Sequence, residues 1–237
     1  LIRTGLFLNT PSVITHFDLQ LNDYIFEGDV SFEHTTGRVT RLQLDDGLTV
    51  SASTYVVAAG KGNGELIKDL GLEVPMQLRP LHQVVVKGKT LPDLFAHAVA
   101  LKSADKPRIT FTTHTTADTK AWYLGGQLAE SGVVRNEAEQ IEFAKTELAA
   151  VIPWMSYSDC EFSTFRIDRA EAGGETLLRP DTPYVRRHGN VVVCWPTKLT
   201  LAPMMGDMFM KLMAEPKAAL AAPPNLPRAS IGRSSWE

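Results

Sequence analysis

Residues 55–64 read Tyr55-Val56-Val57-Ala58-Ala59-Gly60-Lys61-Gly62-Asn63-Gly64, and this stretch decides the fold. Its short apolar run predicts a strand buried on both faces of a parallel sheet. The glycines end that strand, and Glu65 to Leu70 predict a short helix that Gly71 stops. Strand, glycine turn and helix together bring backbone close to a phosphate or a ribose. The spacing departs from GxGxxG, because Glu65 stands where the third glycine belongs. No acidic residue closes the next strand, Gln83-Val84-Val85-Val86.

Upstream, Val30 to His34 and Arg38 to Leu44 alternate, with corners at Thr36-Gly37 and Asp46-Gly47, before Leu48-Thr49-Val50. That pattern predicts a small β-meander with one wet face. Downstream, strands are expected over 82–87, 108–113 and 121–127, then a helix capped by an Asn136-x-x-Glu139 box. Ile141, Ala144, Leu148 and Val151 form its apolar stripe and Pro153 stops it. Cys160 to Glu171 and Asn190 to Trp195 read as further strands. A last helix starts near Pro203 and runs to about Met213. It holds five of the seven methionines, which we read as core packing. After Glu215 an Ala- and Pro-rich tail follows.

The 237 residues are 44% hydrophobic, enough for one or two domains with a real core. With 24 basic against 27 acidic side chains there is no basic footprint for nucleic acid. No apolar stretch approaches the roughly 20 residues of a membrane span. Cys160 and Cys194 form no CxxC, and the six histidines show no metal-binding pattern. A reduced, cytoplasmic setting is the default expectation. The opening Leu1-Ile2-Arg3 has neither an initiator Met nor the plan of a signal peptide, so the chain reads as a fragment.

Three blocks, in order, resemble a known family. Gly37-Arg38-Val39, Asp46-Gly47 and Ser53 to Gly60 form the first. Leu70 to Pro75 with Arg79-Pro80-Leu81-His82-Gln83 form the second. Pro183-Tyr184-Val185, Gly189 to Val193 and Leu201 to Gly206 form the third. They resemble the middle and end of FAD-dependent oxidoreductases of the D-amino-acid oxidase and glycine oxidase type, over roughly residues 24–213. The family opens with a GxGxxG βαβ unit, and nothing ahead of Tyr24 matches it; those 23 residues hold one glycine, Gly5. The resemblance therefore implies the C-terminal portion of such an enzyme.

The fold it implies is α+β to α/β, a mixed-sheet substrate domain with covering helices joined to part of a Rossmann-like FAD domain. The boundaries would be 1–80 and 181–214 for the FAD-binding part, 81–180 for the substrate part, and 215–237 for the tail. FAD is the implied cofactor. Its ring-side contacts would come from Val30, Ala58, Ala59, Gly60 and Lys61, and from Thr197, Lys198, Leu199 and Thr200 ahead of the last helix. An ammonium and backbone N–H groups there would stabilise negative charge on a reduced flavin.

A substrate carboxylate calls for a guanidinium. We favour Arg166 over Arg169 and Arg179; alternation places Arg166 with Asp168, and Arg169 with Phe165 and Ile167 on the opposite face. Tyr123 and His82 are further substrate-side candidates, each with a plain reading as a packed or structural side chain. The expected activity is oxidation of a small amine or amino acid by hydride transfer to flavin N5, with Arg166 and Tyr123 in the catalytic site. A hydroxy-acid or polyol dehydrogenase is the alternative, as is a non-catalytic fragment that holds no flavin. A small-molecule substrate is the expected partner, with a homo-oligomer possible.

Overall fold

A computed structural model describes residues 2–4, 25, 27–35, 38–44, 47–100, 106–116, 118–174 and 180–215. Among these described residues the strands are β1 (Ile2–Thr4), β2 (Val30–Thr35), β3 (Arg38–Leu44), β4 (Thr49–Val50), β5 (Tyr55–Val57), β6 (Met76–Gly88), β7 (Ala96–Ala98), β8 (Ile109–Thr115), β9 (Lys120–Gly125), β10 (Glu161–Ala172), β11 (Tyr184–His188) and β12 (Val191–Trp195). The α-helices among them are α1 (Asn63–Asp69), α2 (Gln127–Ser131), α3 (Glu137–Val151) and α4 (Ala202–Met210). The mixed α+β class expected from the sequence is the one observed.

The chain divides into two compact units. One holds Leu1–Phe17, Pro80–Asp168 and Ile231–Glu237; the other holds Asp18–Arg79 and Arg169–Ser230. The first unit is built on the sheet β1-β7-β8-β9-β6-β10. Period-2 alternation sends Val84, Val86, Ile109, Phe111, Trp122 and Leu124 to one face, where Ala144 and Leu148 of α3 and Leu128 of α2 cover them. The Asn136–Glu139 capping box forms as expected and starts α3. Helix α2 replaces the end of the strand expected over 121–127. Gly126 takes φ +78°, and a Cβ there would meet the Pro107 carbonyl at 2.7 Å; the backbone turns out of the sheet at that point. The buried stripe of α3 also contains Gln140, which the apolar period passed over.

The other face of this sheet carries Gln83, Val85, Thr110, Thr112, His114 and Tyr123. The register sets Tyr123 opposite Val85 on β6 and Thr112 on β8. Tyr123 meets Phe165 of β10 at a tilt, with ring centroids 5.7 Å apart, and meets His114 edge-on at 6.4 Å.

In the second unit, β2-β3-β4 form the expected meander; its Thr36-Gly37 corner lies outside the described residues, and the second corner has Gly47 at φ +82°. A second sheet, β11-β12-β5, holds the decisive strand, which pairs parallel to β12 with Val191 opposite Tyr55 and Val193 opposite Val57. Here one expectation is corrected. β5 ends at Val57, and it is buried on one face only, since Val56 is 45% exposed. The reason is coverage: α4 packs Met205, Met208 and Phe209 over Val185, Val192 and Cys194 of β11 and β12. Val56, at the sheet edge, stands outside that cluster. The reading of the methionines as packing against the sheet holds for Met205 and Met208, whereas Met204 and Met210 are exposed. Cys194 is a buried thiol, and burial raises its pKa.

Asn190 joins three strands. Its backbone carbonyl accepts from Tyr55 N at 2.9 Å, its Oδ1 accepts from Val39 N at 2.9 Å, and its Nδ2 donates to Val39 O at 2.7 Å. Asn190→Ala leaves a buried N–H and C=O of Val39 without partners. It should lower the unfolding free energy by about 2–3 kcal/mol, read as a reduced urea midpoint. Burial also lowers the pKa of His114 below its usual 6.5. The unfolded chain then binds the proton first as pH falls, so stability should drop on acidification below that value. His114→Gln should flatten this part of the melting-temperature profile between pH 7.5 and 5.

Candidate functional site

The parallel pair β5–β12 fixes where the second unit can hold a ligand. Both strands point the same way, so the turns after them, Ala58–Lys61 and Pro196–Thr200, leave from their carboxyl ends. In open parallel sheets that edge is where ligands bind. Trp195 Nε1 donates to Gly60 O at 2.9 Å and ties the two turns together. Asn63 holds the first turn from below: its Oδ1 accepts from Ala59 N at 2.5 Å and its Nδ2 donates to Cys194 O at 3.1 Å. Ala58, Ala59, Gly60 and Lys61 are all exposed, and Gly60 takes φ +59°. Val30 lies elsewhere in this unit, at the start of β2, opposite Leu44 and exposed.

The second turn is strained. Thr197 sits at φ +58°, the sole non-glycine residue in the left-handed region among those described. A β-branched side chain there is costly, and such strain gathers at functional turns. Lys198 N donates to Pro196 O at 2.6 Å, Leu201 N donates to Lys198 O at 2.9 Å, and a 3-10 turn over Leu199–Leu201 leads into α4. The Leu199 and Thr200 amides occupy the first turn of this run, where N–H groups have no intrahelical acceptor and the peptide dipoles gather positive charge. The Lys198 side chain is 37% exposed. Its Nζ lies 3.9 Å from the Asp181 carboxylate, itself almost wholly in water, a pairing worth little. One ammonium and two amides on a single turn can steady a negatively charged, planar group. These residues suit the electron-rich edge of a flavin ring.

In the first unit, the candidates part by sheet face. Arg166 lies on the helix side, where Nη1 donates to Val133 O at 2.8 Å and Nη2 to Arg135 O at 2.5 Å. His82 is buried on the same side, with Nδ1 at 3.0 Å from Gly132 O and Nε2 at 2.9 Å from Thr164 Oγ1. A carbonyl only accepts, so Nδ1 carries a proton. Gln140 completes this network: Nε2 donates to His82 O and Leu128 O, and Oε1 accepts from Arg135 Nη1 at 3.1 Å. Together these side chains hold the 132–135 turn. Tyr123 is on the face turned away from α3, half-buried beside His114 and Phe165. Arg169, half-buried, belongs to the second unit, and Arg179 lies outside the described residues.

The sequence reading passed over His114, although its register with Ala121 follows from the alternation that placed Tyr123. It also passed over the partly buried Arg108–Glu147 pair, whose Nη2 donates to Oε1 at 2.8 Å. That pair lines a cavity of about 520 Å³ with Lys106 and Glu130. Two cations face two carboxylates there, so the cavity offers no net charge to a ligand. Among the described residues no group of three or more His, Cys, Asp or Glu is placed to hold a metal ion, and no helix is long and apolar enough to cross a membrane.

No family model matches the chain. The probable FAD-dependent oxidoreductase PA4991 of Pseudomonas aeruginosa is 40% identical over 240 residues, which cover 99% of this chain and 61% of that protein. The crystal structure of PA4991 superposes with a TM-score of 0.81 at 39% identity, over 94% of this chain and 63% of that one. Iminodiacetate oxidase from Chelativorans sp. BNC1 shares the fold, with a TM-score of 0.50 at 18% identity, over 86% of this chain and 54% of its own. The chain thus spans about three fifths of the length of the curated relative it matches. Along nearly all of its residues it is a homologue of an FAD-dependent oxidoreductase, and the flavoenzyme resemblance read from its sequence holds.

Proposed function

We propose that this chain forms the greater part of an FAD-dependent oxidoreductase that oxidises a small amine or amino acid. The observation that carries this reading is the pair of turns, Ala58–Lys61 and Pro196–Thr200, at the carboxyl ends of β5 and β12. The homology to PA4991 over 99% of the chain supports the cofactor. FAD, when bound, would supply the two-electron acceptor, taking a hydride from the substrate carbon at N5.

The chain's own residues would hold and bias that group. The amides of Leu199 and Thr200 and the Lys198 ammonium oppose negative charge, which favours the reduced state and the transition state leading to it. The backbone of Ala58–Gly60, kept open by small side chains, would admit a close neighbour, with Lys61 beside it. Val30 stays a further contact of this kind.

On the substrate side, Tyr123 would supply a phenol from the face turned away from α3, with Phe165 and His114 limiting its freedom. Among the arginines, alternation sets Arg169 on the Phe165 face of β10, whereas Arg166 spends both Nη groups on carbonyls. Arg166 and His82 would act through the turn they brace, and Arg169 stays a candidate for the carboxylate beside Arg166. Substrate orientation by a guanidinium and exclusion of water by the aromatic pair supply the positioning.

The full-length protein carrying this chain should purify with flavin absorption bands and bleach anaerobically with a small amine substrate. A colourless preparation that added FAD does not restore would sink the reading. Lys198→Met should slow amine-driven bleaching roughly tenfold, about 1.4 kcal/mol of transition-state stabilisation. Lys198→Arg should recover most of it.

A further inference from the structure

Gln83 is 4% exposed, and its Oε1 has no hydrogen-bond partner among the described residues. An acceptor left so is expensive. Its neighbours in the first unit are not so treated. His82 and Gln140 are bonded at both ends, and Thr113 Oγ1 accepts from Leu94 N and donates to Leu94 O. Among the described residues of this unit, only Tyr157 Oη, on the α3 side of the sheet, is left in the same condition.

Its surroundings are equally particular. Gly125 lies on the central strand β9, opposite Thr110 of β8. A Cβ on Gly125 would stand 2.6 Å from Thr110 Oγ1 and 3.6 Å from Gln83 Oε1. The missing side chain is what lets two polar heads from flanking strands converge over β9. One step along, on the same face, stands Tyr123. Two oxygens and a phenol thus gather on the face that α3 does not cover, and the oxygen of Gln83 can only accept.

We propose that Gln83 Oε1, with Thr110 Oγ1 beside it, receives the N–H of an amine substrate and positions that nitrogen. This rests on the amine-oxidising reading above. An amine offers a proton to such an acceptor, while the ether or hydroxyl analogue of the same shape offers none or only one of ambiguous direction. Gln83 is a positioning residue that distinguishes nitrogen from oxygen.

The test uses isosteric probe pairs on the full-length, FAD-loaded protein: iminodiacetate with diglycolate, and glycine with glycolate. The amine of at least one pair should raise the melting temperature and bleach the flavin, its oxygen analogue doing neither. Gln83→Met keeps the volume and removes the acceptor. It should weaken amine binding about tenfold or more, raising KM more than it lowers kcat. The melting temperature without ligand should stay unchanged or rise, because no native bond is lost. Gln83→Glu, which restores an acceptor, should recover amine binding. A fall of several degrees in the ligand-free Gln83→Met protein would make Gln83 a structural residue and overturn the proposal. So would equal amine responses in wild type and variant, with the oxidase reading left standing. Bleaching by the oxygen analogues alone would remove both.

Discussion

Asn190 is the joint on which the second unit depends. A side-chain amide has the donor and acceptor spacing of a peptide group, so Oδ1 and Nδ2 can bracket Val39 as a neighbouring strand would. Its backbone carbonyl meanwhile takes Tyr55 N. One residue therefore fixes β3, the start of β5 and the start of β12. Because β5 and β12 run parallel from that common origin, their ends are set side by side as well. The adjacency of the Ala58–Lys61 and Pro196–Thr200 turns is a consequence of a bond made at the far end of the strands.

The same device recurs. Asn63 stitches Ala59 N to Cys194 O, Gln140 stitches His82 O to Leu128 O, and Gln77 with Arg79 surrounds Glu171, which is 1% exposed. Arg79 Nε approaches the Glu171 carboxylate to 2.5 Å and Gln77 Nε2 donates to it at 3.1 Å. Buried polar groups of this kind add little net stability, since each bond replaces one with water. Their value lies in direction. Apolar clusters around Val57 and Val193 or around Phe111 and Trp122 supply the driving force, yet such contacts tolerate sliding. The amides do not.

Much of this was legible from local chemistry. The capping box at Asn136 and Glu139 formed as the residues require, and Gly71, at φ +64°, ends α1. The parallel character of the Tyr55 strand was readable from its apolar run, whereas its one-sided burial was not. That property depends on how far α4 extends over a sheet assembled from residues 130 positions away. Gln140 escaped for a related reason: amphipathic periodicity counts apolar residues and cannot see a glutamine buried because three carbonyl and guanidinium partners wait for it. Thr197 carried no signal at all, since left-handed backbone is expected of glycine. No glycine stands in that loop, and the structure strains a threonine instead.

The fate of the two strand arginines follows from parity. On β10, Phe162 and Thr164 face α3, so Arg166 must as well, and the carbonyls of the 132–135 turn are there to receive it. Residues of the opposite parity, Phe165 first among them, join Tyr123 on the open face. A strand with one face buried under a helix has only alternate positions to spend on chemistry, and the buried set is fixed by the bulky residues whose removal would cost most. A shift of β10 by one residue would exchange Arg166 with Phe165 and expel Phe162 from the core, which the sheet cannot accommodate. The division between residues that brace the 132–135 turn and residues of the opposite face is thus imposed by the core, before any demand of catalysis. Polar residues left unsatisfied on the open side are therefore the ones whose presence the fold itself does not explain.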